Sequence, residues 1–234
     1  LMAAHHIKVA QSSGTDTVAA VDAIDAVDNL GRTPLHTAIR KHIAVSAKNR
    51  GRIFHAVLGS TKCLERADIS GWTALHWAAR VNFAEAAVAL LRRGANIKAL
   101  DNYGRTPLAG GMDGDAKPPL VWELVMCGAD VHEMGASRRD RTPLEVAVDK
   151  NDPELAELLL SMGADVNCGA NWWWSPIFTA AAYGDRTMVH TLMRHGAAVN
   201  MAGLTSATPI TMVMRCPKGP VIQLLLSLYT VPFV

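Results

Sequence analysis

The sequence predicts an all-α solenoid, a linear stack of about six helix-turn-helix copies, and two repeating features support this fold class. A motif of the type Thr-Pro-Leu-His begins at positions 33, 73, 106, 142, 175 and 208, so most steps are 33 residues long. A Gly-Ala step recurs in phase with it, at positions 94, 128, 163 and 196. This motif at this period is typical of stacked helix pairs. Such arrays present a long surface to a partner and carry no built-in chemistry.

Copy two, which begins at position 73, shows how each element follows from the residues. A turn containing Gly71, which can adopt a left-handed conformation, precedes Thr73. Thr73 is expected to cap a short helix over 74–80. A second helix over 84–93 carries apolar residues at helical spacing and ends at Gly94, a typical residue for a helix C-terminus.

Composition excludes several classes of protein. Half of the 234 residues are hydrophobic and the net charge is +2, so nucleic acid and acidic membranes are not expected partners. The four cysteines form no Cys-x-x-Cys pair, which argues against a zinc site or a disulfide framework. Reduced thiols indicate an intracellular protein, cytoplasmic or nuclear. The longest apolar stretch, near 221–228, is too short to span a bilayer. We expect no metal and no cofactor.

The motif at Thr33–His36 and the segment Gly163–Asn167 (GADVN) resemble the ankyrin repeat. The resemblance covers roughly residues 28–234. It implies antiparallel helix pairs with projecting hairpin loops, in which the hairpin tips and the first helices line a concave face. Residues 1–27 are expected to form a degenerate seventh copy or a cap. The copies are expected over 28–67, 68–100, 101–134, 135–168, 169–200 and 201–234.

The resemblance implies a protein-protein interaction module, an adaptor or scaffold without catalysis. Its variable contact positions flank the hairpin glycine and the end of the first helix. In this chain those positions are rich in Trp, Tyr and Arg, which interfaces favour, so an acidic or aromatic peptide would suit them. Packing between copies is the alternative role for the tryptophans, and solvent exposure for the arginines. The predicted partner-binding residues are Trp72, Arg80, Tyr103, Arg105, Arg139, Arg141, Trp172, Trp174 and Tyr183.

A small-molecule site or an enzyme is the alternative function. No phosphate loop, nucleophile elbow or His-Glu-x-x-His motif is present. Two consecutive glycines in the first helix of copy three are either tolerated small residues or the wall of a hollow that could bind a ligand. The residues of this predicted pocket are His76, Gly110, Gly111, Asp113, Glu145 and Asp149.

Two other features of the sequence carry expectations: the residue at the last position of the repeated motif, and the apolar end of the chain. The resemblance implies that His36 and His76 connect neighbouring copies by hydrogen bonds. Glu145 fills the same position in copy four and needs a partner or solvent. The apolar segment Thr230–Val234 suggests self-association, or else a chain that is part of a longer protein.

Overall fold

The computed structural model of the chain describes residues 26–40, 47–133, 141–169 and 175–199. The chain forms two compact units, Leu1–Ala129 and Asp130–Val234. All regular secondary structure in the described ranges is α-helical, which confirms the predicted fold class. The boundaries of the individual copies stay a prediction.

The helices alternate between a first and a second helix of each copy. Helix α2 is longer than the other second helices, with 14 residues where they have nine, and takes up extra residues of the long first step. The helices of the first unit are α1 (Pro34–Arg40), α2 (Ala47–Ser60), α3 (Ala74–Arg80), α4 (Ala84–Arg92), α5 (Pro107–Met112) and α6 (Pro118–Met126). Those of the second unit are α7 (Pro143–Asp149), α8 (Pro153–Ser161), α9 (Pro176–Tyr183) and α10 (Arg186–Arg194).

Within each unit, like helices stack on like helices. In the first unit α1 packs on α3 and α3 on α5, while α4 packs on α6. In the second unit α7 packs on α9 and α8 on α10. Leucines at helical spacing form the two cores, because each helix buries one face against its own pair and against the next copy. Fully buried examples are Leu75, Leu90, Leu108 and Leu124 in the first unit, and Leu144, Leu155 and Leu159 in the second.

The second helices end as the Gly-Ala step predicts. After α4 the backbone N–H of Ala95 donates to the Leu90 carbonyl at 3.0 Å and that of Gly94 donates to Leu91 at 2.9 Å. This is the Schellman arrangement, which satisfies carbonyls at the helix end and needs a left-handed residue. Gly94 supplies it with φ +85°. The helix therefore stops at Arg92, one residue before the expected end.

The hairpin that precedes α3 depends on Gly71 for two reasons. Its φ is +79°, in the left-handed region. A Cβ at this position would also lie 2.5 Å from the backbone nitrogen of Asn102 in the next hairpin. Hairpins of successive copies therefore approach each other backbone to backbone, and only glycine fits this contact.

Candidate functional site

Asp101 organises the hairpin of copy three, which contains two of the predicted contact residues. Its side chain is fully buried. One carboxylate oxygen accepts the backbone N–H groups of Tyr103 (2.8 Å) and Arg105 (2.9 Å). The other accepts the indole N–H of Trp72 (3.0 Å) and Nε–H of Arg105 (2.9 Å). A single buried carboxylate thus fixes the backbone of one hairpin and a side chain from the copy before it.

The Asp101–Arg105 pair is ionised despite its burial. Burial alone would raise the pKa of Asp101, but the backbone and side-chain N–H donors of Arg105, with the N–H of Tyr103, hold that pKa below its ordinary value. Burial would likewise lower the pKa of Arg105, yet bonding to Asp101 and Asp113 keeps it raised. Hydrogen bonds of this kind, between charged groups, are roughly twice as strong as those between neutral groups.

Arg105 supports the exposed ring of Tyr103. Its guanidinium carbon lies 4.9 Å from the Tyr103 ring centroid and 5.8 Å from that of Trp72, distances typical of cation–π contact. Its Nη1 donates to Asp113 at 3.0 Å. The Arg105 side chain is largely buried by these contacts, and its guanidinium supports the buried face of the Tyr103 ring. Tyr103 itself is 61% exposed.

Trp72 is half-buried and engaged on several sides. Besides its bond to Asp101, its ring packs edge-on against Trp77 (4.9 Å between centroids), whose indole N–H donates to Asp68 at 3.0 Å. The guanidinium of Arg80 lies 5.6 Å from the Trp72 centroid. The structure therefore brings the predicted residues Trp72, Arg80, Tyr103 and Arg105 into one cluster. Within it, Trp72 joins copies two and three and positions Arg80.

The hairpin tips of the first unit form a row of exposed apolar side chains, which we call the tip row: Leu30, Ile69 and Tyr103. Leu30 is 42% exposed and Ile69 62% exposed. Hydrogen bonds connect the tips, because the Ile69 N–H donates to the Leu30 carbonyl (3.0 Å) and the Asn102 side chain donates to the Ile69 carbonyl (2.8 Å). Sequence reasoning missed Leu30 and Ile69, although an apolar residue at the tip of a turn was a detectable signal.

A second exposed aromatic of the first unit lies on a second helix, α6. Trp122 is 45% exposed on α6, and Met126, one turn further on, is also exposed. Sequence reasoning missed these residues as well. Alignment of the copies was the available signal, because the position of Met126 is polar in the neighbouring second helices, as Arg92 or Ser161.

The last position of the Thr-Pro-Leu-His motif serves hydrogen bonding within and between copies. The Thr73 N–H donates to Nδ1 of His76 (3.2 Å), so the proton of the neutral ring resides on Nε2, which donates to the Arg105 carbonyl (3.0 Å). This confirms the expected connection between copies for His76. His36 makes the same Nδ1 contact with Thr33 (3.0 Å), but its buried Nε2 has no hydrogen-bond partner among the described residues. Burial lowers the pKa of both histidines.

Glu145 occupies the histidine position of copy four in the second unit, and its carboxylate has the partner that burial demands. The Thr142 N–H donates to Oε2 at 2.7 Å, while the Glu145 N–H donates back to the Thr142 hydroxyl at 3.3 Å. This reciprocal capping box satisfies two N–H groups at the start of α7. Glu145 therefore has a structural role in its own copy.

Three other predicted residues, Arg141, Asp149 and Tyr183, meet in the second unit. Nη1 of Arg141 lies 2.6 Å from one carboxylate oxygen of Asp149, and the Tyr183 hydroxyl donates to the other at 2.8 Å. That bond to Asp149 raises the pKa of Tyr183. A shallow hollow that opens to solvent lies beside them. It is lined by Arg141, Glu145, Val148, Asp149, Pro176 and Thr179.

The paired glycines of α5 pack closely against α3. A Cβ at Gly111 would lie 3.0 Å from the Ala79 Cβ, whereas one at Gly110 would have His76 as its nearest neighbour at 3.8 Å. Gly111 therefore permits the close approach of the two helices. The predicted pocket, which includes Glu145 and Asp149 of the second unit, stays a prediction.

Several predicted features lie outside the described residues. They include Arg139, Trp172 and Trp174, together with the apolar segment 230–234 and most of residues 1–27. Within the described ranges, no group of three or more His, Cys, Asp or Glu side chains could hold a metal ion. No described helix is long and apolar enough to cross a membrane.

Comparison with known proteins identifies the family to which this repeat array is similar. The family model for ankyrin repeats (3 copies) matches residues 41–110 and 112–203. Mouse B-cell lymphoma 3 protein homolog is 30% identical over 191 residues, which cover 81% of this chain and 34% of that protein. Human neurogenic locus notch homolog protein 1 is 31% identical over 143 residues, 61% of this chain but only 6% of that protein.

A solved structure agrees with the sequence comparisons. The ankyrin repeat domain of Bcl-3 superposes with a TM-score of 0.71 at 26% identity, covering 88% of this chain and 92% of that one. Repeated motif, helix stacking and these similarities coincide. The chain belongs to the ankyrin-repeat family, and its array is a protein-interaction module.

Proposed function

We propose that the first unit binds a partner protein through the tip row and the adjoining end of α3, where Arg80 is located. The observation that carries this proposal is the exposed, immobilised ring of Tyr103. Its backbone is fixed by Asp101 and its ring is stacked on Arg105. Aromatic residues held in place before binding lose little conformational entropy, so they make good interface anchors.

The tip row supplies apolar area around that anchor. Ile69 and Tyr103 expose most of their side chains on hairpins that are hydrogen-bonded to one another. Polar and charged side chains complete this surface: Asn102 donates to the Ile69 carbonyl, and Arg80 stacks on Trp72. An apolar centre with a polar rim is the usual composition of a protein-binding surface.

Contacts by Arg139, Arg141, Trp172, Trp174 and Tyr183 are part of the same proposal for the second unit. The described contacts of Arg141 and Tyr183 support a subordinate role, since both are bound to Asp149. We expect these two side chains to shape the surface more than to provide its affinity.

The experiment is affinity capture from an extract of the source cells, using the full chain as bait. Tyr103→Ala and Ile69→Ala should each lose a captured protein that the unsubstituted chain retains. Trp122→Ala is the matched control, because it removes an exposed aromatic of the same unit that is not part of the tip row. All variants should keep the same thermal midpoint by circular dichroism. Retention of the partner by Tyr103→Ala would refute the tip row as the binding surface.

The same experiment separates the alternative function. A small molecule that copurifies with the chain, in the absence of any captured protein, would direct attention to the predicted pocket and away from the hairpins. Mass spectrometry of both proteins and small molecules in the eluate distinguishes the two results.

We also propose an intracellular location, cytoplasmic or nuclear. The three described cysteines, Cys63, Cys127 and Cys168, are free thiols, which suits a reducing compartment. Microscopy of the tagged natural protein tests this; a secreted protein would contradict it.

A further inference from the structure

An ion pair recurs at the ends of the first helices of copies three and four. Copy three places an arginine before the motif and an aspartate eight residues later, and the two are 3.0 Å apart (Arg105 and Asp113). Copy four repeats this with Arg141 and Asp149 at 2.6 Å. In both copies the cation and the anion come from the same chain, so the pair is complete without a partner.

Copy two has an aromatic and a cation at the same two positions. Trp72 stands before the motif and Arg80 eight residues later, with the guanidinium stacked over the indole at 5.6 Å. Within the described ranges Arg80 makes no ion pair. Asp113, on the next first helix, is already paired with Arg105. Stacking on Trp72 therefore holds a guanidinium in place without neutralising it.

The neighbourhood of Arg80 is built to keep this position open. A Cβ at Gly114 would lie 2.8 Å from the Arg80 Cδ, so a glycine at 114 leaves room for the arginine stem. The exposed Asp115 meets Arg80 through the backbone, where its N–H donates to the Arg80 carbonyl at 3.2 Å.

Copy one provides a second cation at the corresponding position. Arg40 ends α1 as Arg80 ends α3, and it is exposed. The arginine before its motif, Arg32, is paired with Asp28 at 2.6 Å, and Arg40 makes no ion pair among the described residues. Since α1 packs directly on α3, two cations lie at the ends of adjacent helices.

We propose that these two arginines recognise an acidic segment of the partner, in polyproline II conformation, with two carboxylates three residues apart. Packed helices lie about 8–10 Å apart. A polyproline II segment rises about 3.1 Å per residue with three residues per turn, so side chains at i and i+3 share one face about 9 Å apart. Arginine binds carboxylates in a two-pronged geometry that suits such ligands. This inference rests on the proposed function and names the chemistry of the partner.

A peptide selection tests it with the full chain. Random peptides displayed on phage are selected against the unsubstituted chain and then measured against variants. We expect enrichment of Glu or Asp at positions i and i+3, and about fivefold weaker binding of those peptides to Arg40→Gln and to Arg80→Gln. Arg80→Lys keeps the charge but loses the planar two-pronged geometry, so it should recover only part of the binding that Arg80→Gln loses. Arg92→Gln, at an exposed arginine of α4, is the matched control and should bind normally.

Each outcome decides between the proposals. Peptides that lack the acidic pair, or acidic peptides that bind Arg80→Gln and Arg40→Gln as well as the unsubstituted chain, would overturn this inference. If those same peptides still depend on Tyr103, the proposed function stands. If selection enriches no peptide, both proposals fail, whereas acidic peptides that depend on Arg40 and Arg80 but are indifferent to Tyr103→Ala would refute the tip row alone. Binding must also weaken as the salt concentration is raised, because salt screens the attraction between exposed charges; the screening length is about 10 Å at an ionic strength of 0.1 M.

Discussion

The indole N–H of Trp72 donates to the carboxylate of Asp101, 29 residues further along the chain, at 3.0 Å. The donor, Trp72, is a half-exposed side chain of copy two. The acceptor, Asp101, is the buried carboxylate that binds the backbone of the copy-three hairpin. The bond therefore links the surface cluster of Trp72 and Arg80 to the framework on which Tyr103 is held.

Removing that bond should destabilise the first unit while leaving the ring packing in place. Trp72→Phe leaves one acceptor position of Asp101 without its donor, and a hydrogen bond to a charged group is worth about 1.5–3 kcal/mol. We expect a loss of that size in the free energy of unfolding, measured by urea denaturation. Trp122→Phe, an exposed tryptophan on α6, should change it by less than about 0.5 kcal/mol. Equal effects of the two substitutions would show that the bond contributes nothing.

Substitutions at two glycines with positive φ distinguish the cost of a left-handed backbone conformation from the cost of a steric clash. Gly94→Ala meets no atom within 4 Å and should cost only the left-handed penalty, about 1–2 kcal/mol. Gly71→Ala has a similar φ but places its Cβ 2.5 Å from the Asn102 nitrogen. We expect it to lose more than about 3 kcal/mol in urea denaturation. Similar losses for both would contradict the close contact between hairpins.

The adjacent glycines of α5 should respond with opposite signs. Gly110→Ala has its nearest neighbour at 3.8 Å and gains helix propensity, so we expect stabilisation of about 0.5–1 kcal/mol. Gly111→Ala would press against Ala79 at 3.0–3.2 Å and should cost about 1–3 kcal/mol. Thermal melts followed by circular dichroism measure both. If Gly111→Ala is also tolerated, space exists beside this helix and the predicted pocket gains support.

The buried histidines should make stability depend on pH below neutrality. Burial lowers the pKa of His76 from an ordinary value of 6.5, which the unfolded chain retains. Below pH 6.5 the unfolded state therefore binds a proton that the folded state excludes until the pH reaches the lower, folded pKa. The contribution of His76 to the free energy of unfolding should therefore be fully present above about pH 6.5. It should be lost as the pH falls from 6.5 to the lower pKa of the folded state.

His76→Gln isolates this contribution, because the readout is a slope and not an absolute stability. Urea denaturation between about pH 7 and pH 5 should show a shallower decline for the variant than for the unsubstituted chain. An unchanged slope would mean that His76 takes up its proton equally in both states. Carboxylates such as Asp101 titrate at lower pH and do not confound this range.

The local structure could be predicted from the sequence because each signal acts within a few residues. Helix α3 begins and ends at the residues expected, and Gly94 ends the second helix of its copy. The resemblance to ankyrin repeats also implied that His76 would connect two copies, as it does. Arg139, Trp172 and Trp174 lie outside the described residues, and their roles stay predictions.

Contacts between copies could not be derived in the same way. Trp72 was expected to be a partner anchor, but nothing near it in sequence indicates that Asp101 would bind its indole. Ile69 had a local signal, as an apolar residue at the tip of a turn, but nothing in the sequence indicated that its N–H would donate to the Leu30 carbonyl of the hairpin before it. The closeness of Gly111 to Ala79 likewise depends on the distance between two packed helices.

By itself, the sequence determined the repeat, the helix pairs and the residue types at the variable positions, because periodicity and capping are local properties of the chain. Only the tertiary structure decided which of those side chains are bound by neighbouring residues and which are available to a partner. Arg105 is neutralised by Asp101 and Asp113, whereas Arg80 is held by Trp72 with its charge uncompensated among the described residues. The partners lie only four to eight residues from these arginines in the chain, but whether they meet depends on how each hairpin packs against the end of its first helix.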